Sequence, residues 1–490
     1  MLNYLRTIVR AFAITLVAVV IAIAAFVAFR VVSAGQVDDD ARLAAKQQYL
    51  SGIGAMAAGI RRRPNVIFIL YDDMGYGDIG VGAIGSDLIH TPRIDQLAAH
   101  GVMLSDFHSP ASVCSPSRAG FLTGRLPPHA GMTSVLFPDG SIKEFIFSTL
   151  LNPAANVRLP AEEITLGDIF KAAGYRTAMV GKWHLGDRSP SLPNDFGFDT
   201  FFGALYSNDM VPFALYRDQS VVVPAPVDQR ELSEHYAIES TQFIRDAQEQ
   251  PFFLYLAHNF PHDPLSVSAQ RSGQSDAGLY GDVLEELDHG VGRIVDALRD
   301  TGQLDNTLII ISSDNGPWFL GNAGDHRGRK GNTFEGGTRV PFIAHWPDGF
   351  PGGRVEAAMA MGTDLLPTVL DLLGLPAPQD RELDGRSILP VLQTGADTPH
   401  DYLFYHDGAE LMAVRDARFK YRGPAGVHYG TDIMPIAMSV RQKEWLFDLE
   451  RDPRESYDTA TRHPERLAQL RKVFEARQKA LKENPRAWRE

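Results

Sequence analysis

Residues 65–73 read NVIFILYDD, and the reading of this stretch decides the fold. After Asn65 the run to Tyr71 is wholly apolar, bounded by Arg63-Pro64 on one side and Asp72-Asp73 on the other. That is the pattern of a strand buried on both faces, with two carboxylates at its carboxyl end. The pattern recurs outward from it. Glu162 to Ala173 reads as a helix with Leu166, Ile169, Phe170 and Ala173 inward and Gly174 as its stop signal. A strand from Tyr175 to Val180 then delivers Gly181-Lys182-Trp183-His184-Leu185-Gly186 into a loop. Pro251 to Ala257 leads to His258 and His262, and a helix from Asp282 to Arg299 precedes the run Thr307 to Ser313, which ends at Asp314 and Asn315. Helices alternating with buried strands predict an α/β fold, a largely parallel sheet between helices with its chemistry at the carboxyl ends of the strands. Beyond Thr398 the texture changes to short strands, Tyr402 to His406, Met412 to Arg415 and Trp445 to Asp448, and a terminal amphipathic helix from His463 to Asn484. The expected organisation is a catalytic body over 64–397 and a smaller α+β subdomain over 398–490, preceded by a tether over 34–63 and an N-terminal segment over 1–33.

The 490 residues, 44% of them hydrophobic, suffice for one large core and a companion, which argues against disorder or a fibrous repeat. With 47 Lys and Arg against 60 Asp and Glu, the formal charge of -13 would repel a phosphate backbone, so nucleic acid is not an expected partner. Ala11 to Phe29 is apolar except for Thr15. That approaches the ~20 residues of a membrane-crossing helix and exceeds the about 7 to 15 of a signal-peptide core. Arg6 and Arg10 precede it and Asp38-Asp39-Asp40 follows, an asymmetry that keeps the N-terminus cytoplasmic and exports the rest. Small residues at Val32-Ser33-Ala34 also suit signal cleavage, so a retained anchor and a removed signal both stand, and both lead to the periplasmic or extracellular side. An exported chain with one cysteine, Cys114, has no internal disulfide to build with it.

Cys114 opens the stretch CSPSRAGFLTGR, residues 114–125. Ser115 is expected to cap a helix that starts at Pro116 and ends near Gly124, with Cys114 at its positive end and Arg118 one turn on, a place suited to an anion. Asp72, Asp73, Asp314 and Asn315 fall at the ends of two expected strands, and their carboxylate and amide oxygens suit a hard cation such as Ca²⁺ or Mg²⁺.

The order Cys-x-Pro-Ser-Arg then Leu-Thr-Gly-Arg, over Cys114, Pro116, Ser117, Arg118, Leu122, Thr123, Gly124 and Arg125, resembles the signature of the cysteine-type sulfatases. The likeness continues through Glu335-Gly336-Gly337, Asp364 to Thr368, Asp384-Gly385 and Leu446 to Leu449, spans most of residues 64–456, and is nearest the arylsulfatase branch. It implies an alkaline-phosphatase-like mixed sheet with a C-terminal four-stranded subdomain. It also implies that a maturation enzyme acting on the unfolded chain oxidises Cys114 to formylglycine. In its hydrate one hydroxyl attacks sulfur, and the other collapses to the aldehyde and expels sulfate. The same resemblance makes Asp72, Asp73, Asp314, Asn315 and the modified Cys114 the holders of one divalent cation, Ca²⁺ with Mg²⁺ as second choice. It makes Arg118, Lys182 and Lys330 contacts to the sulfate or the leaving group and Ser207 a residue near the sulfate. Lys330 and His262 are then candidates to protonate the leaving oxygen, and His184 to assist the formylglycine hydroxyl. Of the two histidines after the 251–257 strand, His262 stands directly before an x-Pro pair, as the family's does, which leaves His258 to support or pack. The activity implied is hydrolysis of a sulfate ester. The competing enzyme reading is a phosphonate or phosphate ester hydrolase of the same superfamily, and the competing non-enzyme is a membrane-anchored relic, against which the filled catalytic positions argue.

Overall fold

The computed structural model describes residues 38–490 apart from 58, 61–62, 81–84, 145–156, 249, 425, 428–439 and 442, and within the first 37 residues it describes 6, 10, 12, 14–22 and 24–26. In chain order the main sheet comprises β1 (Asn65–Tyr71), β2 (Val102–Leu104), β3 (Arg176–Lys182), β4 (Thr200–Ala204), β5 (Leu215–Arg217), β6 (Ser220–Val223), β7 (Phe252–Ala257), β8 (Thr307–Ser313), β9 (Phe342–His345) and β10 (Arg354–Glu356). Across the sheet they run β10-β2-β9-β8-β1-β7-β3-β4-β5-β6. The central five, β8-β1-β7-β3-β4, are mutually parallel, and antiparallel strands flank them on both sides. This is the mixed, largely parallel α/β sheet expected from the alternation of buried runs and helices.

β1 lies near the middle because it can be buried on both faces. Val66, Phe68 and Leu70 enter one core and Ile67, Ile69 and Tyr71 the other, none more than 1% exposed. Burying each such side chain stabilises the fold by about 1.5–3 kcal/mol. The first core is closed by α2 (Cys114–Thr123), α3 (Leu166–Ala172) and α6 (Leu365–Leu373), the second by α4 (Leu232–Ala247) and α5 (Gly278–Asp300). α3 begins at Leu166 rather than Glu162 because Thr165 and Asp168 form a reciprocal capping box there.

The segment read from sequence as a tether contains a docked helix, α1 (Asp40–Ala57). Its Ile53 and Ala57 are buried, and Lys46 pairs with Asp168 at 2.9 Å and donates to the Glu163 carbonyl at 2.7 Å. Two small apolar contacts and a buried lysine leave no hydrophobic stripe for a sequence to display. Among the described residues no helix is long and apolar enough to cross a membrane. The run 11–29 lies partly outside the described residues; its stretch 14–22 is helical, with Ile14, Leu16 and Val17 exposed.

The C-terminal sheet is antiparallel, in the order β11 (Leu403–Asp407), β12 (Glu410–Arg415), β13 (Phe419–Arg422), β14 (Trp445–Asp448). α7 (Pro464–Glu483) covers it, with Leu470 and Phe474 packed on Leu411, Val414, Tyr421 and Leu446. β13 has no strand signature in the sequence, because Lys420 and Arg422 are buried in polar contacts where an apolar residue would otherwise stand.

Candidate active site

Sheet order explains why residues far apart in sequence meet. β8, β1, β7 and β3 are consecutive neighbours running the same way, so the residues that follow them emerge side by side. The ladder continues into the site through Asp314 N–H to the Tyr71 carbonyl at 2.9 Å and His258 N–H to the Leu70 carbonyl at 2.8 Å. Close approach at the end of β3 needs glycine: a Cβ on Gly181 (φ 109°) would lie 1.9 Å from the Ala257 carbonyl oxygen. Asp73 (φ 67°) and His184 (φ 61°) hold left-handed backbone without being glycine, a strain of about 1–3 kcal/mol each that is typical of functional sites. The Asp73 N–H donates to Asp314 Oδ1 at 3.2 Å and the Met74 N–H to Ser313 Oγ at 2.9 Å, which fixes that turn.

α2 starts at Cys114, with Val113 as its extended N-cap, and ends at Gly124 (φ 69°). Ser115 is therefore not the cap expected from sequence. Its hydroxyl instead accepts from the Leu136 N–H at 3.1 Å, a tertiary partner that outcompetes local capping. Every residue of α2 is buried, and Cys114 is 2% exposed in its first turn. The Cys114 thiol lies 3.6 Å from Asp72 Oδ1. Burial pushes this thiol up to about 12, only partly offset by Lys182 and Lys330, so an unmodified Cys114 stays protonated near neutrality.

Asp72, Asp73, Cys114 and His262 each bring one possible ligand atom to within 4.8 Å of the others. Arg118, fully buried, knits the floor. Its Nε donates to Asp314 Oδ2 at 2.8 Å and its Nη1 to the Lys182 carbonyl at 2.7 Å, and its Nη2 lies 3.5 Å from Asp72 Oδ2. Lys182 Nζ donates to the same Asp72 oxygen. Burial alone would raise the Asp72 carboxyl, yet Lys182, His262, Arg118 and Lys330 hold it well below the usual carboxylate range. Lys330 Nζ contacts both Asp73 oxygens, at 2.8 and 2.9 Å, and although burial opposes its charge, Asp73 keeps its ammonium ionised. His262 Nδ1 donates to the Asp263 carbonyl, and its Nε2 lies 3.9 Å from Asp73 Oδ2.

The donor set suits a hard cation. Asp72, Asp73 and Asp314 are at most 2% exposed. Asn315 donates its amide to Asp73 Oδ1 at 2.6 Å, while its own buried Oδ1 has no hydrogen-bond partner. An orphaned amide oxygen beside three buried carboxylates is the arrangement an oxygen-coordinated ion satisfies.

His184 is buried with Nε2 donating to the Leu136 carbonyl at 3.0 Å and Nδ1 unpartnered. Burial, Lys182 and Arg118 hold its pKa well below the usual imidazole range, so its Nδ1 is a free base within the wall. Ser207 is buried with an unpartnered hydroxyl, and no described hydrogen bond ties it to the cluster. His258 packs: its Nδ1 accepts from the Phe260 N–H at 3.1 Å, and its ring lies 5.2 Å from Tyr236 and 6.4 Å from Tyr71. The cluster opens into a cavity of about 530 Å³, whose floor holds Asp73, His262 and Lys330 and whose mouth holds Asp209, Asp263 and Trp318. Sequence reasoning missed the mouth, because isolated acidic and aromatic residues in loops carry no spacing signal.

Residues 64–375 match the family model for sulfatases, and residues 326–483 match that for the C-terminal part of N-sulphoglucosamine sulphohydrolase. The chain is 34% identical to the N-acetylgalactosamine-6-sulfatase of Rattus norvegicus over 484 residues, covering 88% of each protein. It is 35% identical to the arylsulfatase A of Homo sapiens over 450 residues, covering 82% of this chain and 85% of that one. A crystal structure of a sulfatase from Pseudoalteromonas sp. superposes with a TM-score of 0.76 at 27% identity, covering 92% of this chain and 96% of the other. With its fold, its Cys114 motif and these relatives in agreement, the chain belongs to the sulfatase family and is a sulfuric ester hydrolase.

Proposed function

We propose that this enzyme releases inorganic sulfate using Cys114, matured to formylglycine, as its nucleophile, beside a divalent cation held by Asp72, Asp73, Asp314 and Asn315. The observation that carries the reading is the convergence of a fully buried, protonated Cys114 thiol with these oxygens and three cationic side chains in one buried cluster, which reaches the cavity through Asp73, His262 and Lys330. A thiol raised to about 12 is a poor nucleophile, which is why the modification matters. Formylglycine would supply a hydrated aldehyde with two hydroxyls on one carbon, and the cation, Ca²⁺ in preference to Mg²⁺, would supply charge that polarises a sulfate oxygen.

The chain's own residues do the rest. Arg118 anchors Asp72 and Asp314 so that their oxygens stay in place. Lys182 and Lys330 balance the charge that builds on the sulfate oxygens. Lys330 and His262, 13% and 15% exposed, stand at the open side, where the organic half departs and a proton is needed on its oxygen. His184 Nδ1, unpartnered, would accept a hydrogen bond from the hydroxyl of the nucleophilic side chain, and Ser207 would offer its free hydroxyl to the sulfate. We further propose that the body is exported behind the apolar run 11–29, retained as an anchor or cleaved as a signal. A formylglycine-generating enzyme would meet Cys114 before folding, since the folded chain buries it.

The test is Cys114→Ala in protein made with the maturation enzyme. Sulfate release from 4-nitrophenyl sulfate should fall by about a thousandfold or more with the melting temperature little changed. Activity near wild type would point to another nucleophile.

A further inference from the structure

Three segments meet at the cavity mouth: the loop after β4 carrying Asp209, the turn 261–264 carrying Asp263, and the stretch after β8 carrying Trp318. Asn208, 3% exposed, locks the first two together. Its amide nitrogen reaches the Pro264 carbonyl at 3.0 Å, the His262 carbonyl at 3.4 Å and Gln229 Oε1 at 3.1 Å, and Gln229 donates back to the Asn208 carbonyl at 2.9 Å. Asp209 and Asp263 are therefore held on one rim rather than carried by free loops. Lys330, the one Lys or Arg among the described lining residues, and its sequence neighbour Arg329 are both engaged elsewhere. Lys330 faces Asp73, and Arg329 lies 4.5 Å over the Phe319 ring with Nη1 3.5 Å from the Trp318 carbonyl. Among the described residues lining the cavity beyond its floor, the charge is thus negative, with one indole beside it.

We propose that Asp209, Asp263 and Trp318 select sulfate esters whose organic half is uncharged and bears hydroxyls, a monosulfated sugar, and reject esters with a second anionic group close to the first. This deepens the sulfatase reading and rests on it. Carboxylates accept hydrogen bonds from sugar hydroxyls, and an indole face packs on the C–H face of a pyranose ring. A second sulfate would instead meet two like charges at the mouth of a partly desolvated cavity, a penalty that should reach about tenfold in affinity at moderate salt. Because the rim is open to solvent, salt screens this penalty, with a Debye length of about 8 Å at physiological ionic strength.

The experiment measures inhibition of 4-nitrophenyl sulfate hydrolysis by N-acetylgalactosamine 6-sulfate and by its 4,6-disulfate, so that the answer does not depend on which ester position is cleaved. The wild type should bind the monosulfate about tenfold more tightly, and the gap should narrow as sodium chloride is raised. In the double variant Asp209→Asn, Asp263→Asn the gap should shrink to about threefold or less, and Trp318→Ala should weaken the monosulfate several-fold. Equal or tighter binding of the disulfate, an unchanged gap in the double variant, or no inhibition by either sugar overturns the proposal while leaving the sulfatase reading intact. Failure to hydrolyse 4-nitrophenyl sulfate or any other sulfate ester removes that reading, and this selectivity with it.

Discussion

Arg415, on β12 of the C-terminal sheet, is 2% exposed and is expected to hold both the subdomain and the Lys330 segment in place. Its Nη1 and Nη2 fork onto Asp106 at 3.0 and 2.8 Å, and Nη1 also reaches Glu335 Oε2 at 3.0 Å. Asp106 and Glu335 are both held well below the usual carboxylate range against burial, by Arg415 and Arg339 in the first case and by Lys420 and Arg415 in the second. Arg415→Met strips one guanidinium from two buried carboxylates. Lys420 Nζ remains 3.0 Å from Glu335, and Arg339 Nη1 remains 3.4 Å from Asp106. The cost should therefore fall at the lower end of the range for breaking a buried ion pair, about 3 kcal/mol. The effect should extend to catalysis. Glu335 lies five residues after Lys330, and the stretch is pinned just after Lys330 by the Gly331 N–H on the Ser112 carbonyl at 2.8 Å and just after Glu335 by the Gly336 N–H on the Arg327 carbonyl at 2.7 Å. Loosening Glu335 loosens Lys330, so kcat/KM for 4-nitrophenyl sulfate should fall about tenfold. Urea unfolding and steady-state kinetics of Arg415→Met, Asp106→Asn and the double variant read both effects, with a coupling energy of about 1–3 kcal/mol between the two sites. Stability within about 0.5 kcal/mol of wild type with unchanged kinetics would refute the reasoning.

The cation site predicts that Ca²⁺ raises the melting temperature of the wild type, since a ligand at about 100 times its Kd stabilises the native state by about 2.7 kcal/mol. Asn315→Leu should abolish that rise, and an equal rise in the variant would place the ion elsewhere. His406 is 2% exposed, has no hydrogen-bond partner on either ring nitrogen, and is pushed down to about 3 by burial and Arg477. Its folded pKa thus lies below the ordinary value of 6.5. As pH falls below 6.5 the unfolded chain binds a proton that the folded chain refuses, and stability drops by up to about 1.4 kcal/mol per pH unit until pH nears 3. His406→Leu should flatten the urea-unfolding free energy between pH 6 and 4 by about that slope; an unaltered slope would show that His406 titrates normally.

Much of the fold was legible because buried parallel strands advertise themselves. NVIFILY, PFFLYLA and TLIIISS each form a strand of the central sheet, and Asp72, Asp73, Asp314 and Asn315 follow two of them into the buried cluster. Strand order was not legible, since nothing local distinguishes a run that pairs with β1 on one side from a run that pairs on the other. Residue types and a continuous motif located Cys114, Asp72, Asp73, Asp314 and Asn315, and the structure brings them to one place with Arg118, Lys182, His262 and Lys330. The pairing of Asp106, Glu335, Arg415 and Lys420 was not legible in the sequence, although Glu335 and Arg415 fall in segments it singled out, because the four come from unrelated elements with no shared period. The Ser115 cap was misread for a related reason: a hydroxyl with a tertiary donor such as the Leu136 N–H need not serve the helix it begins.

The central claim is that Cys114 acts only after oxidation, and peptide mass spectrometry of the segment 113–118 tests it most directly. Samples matured to different extents should show activity on 4-nitrophenyl sulfate rising in proportion to the fraction of peptide that carries an aldehyde in place of the thiol. Full activity in protein whose Cys114 is entirely an unmodified thiol would contradict the account.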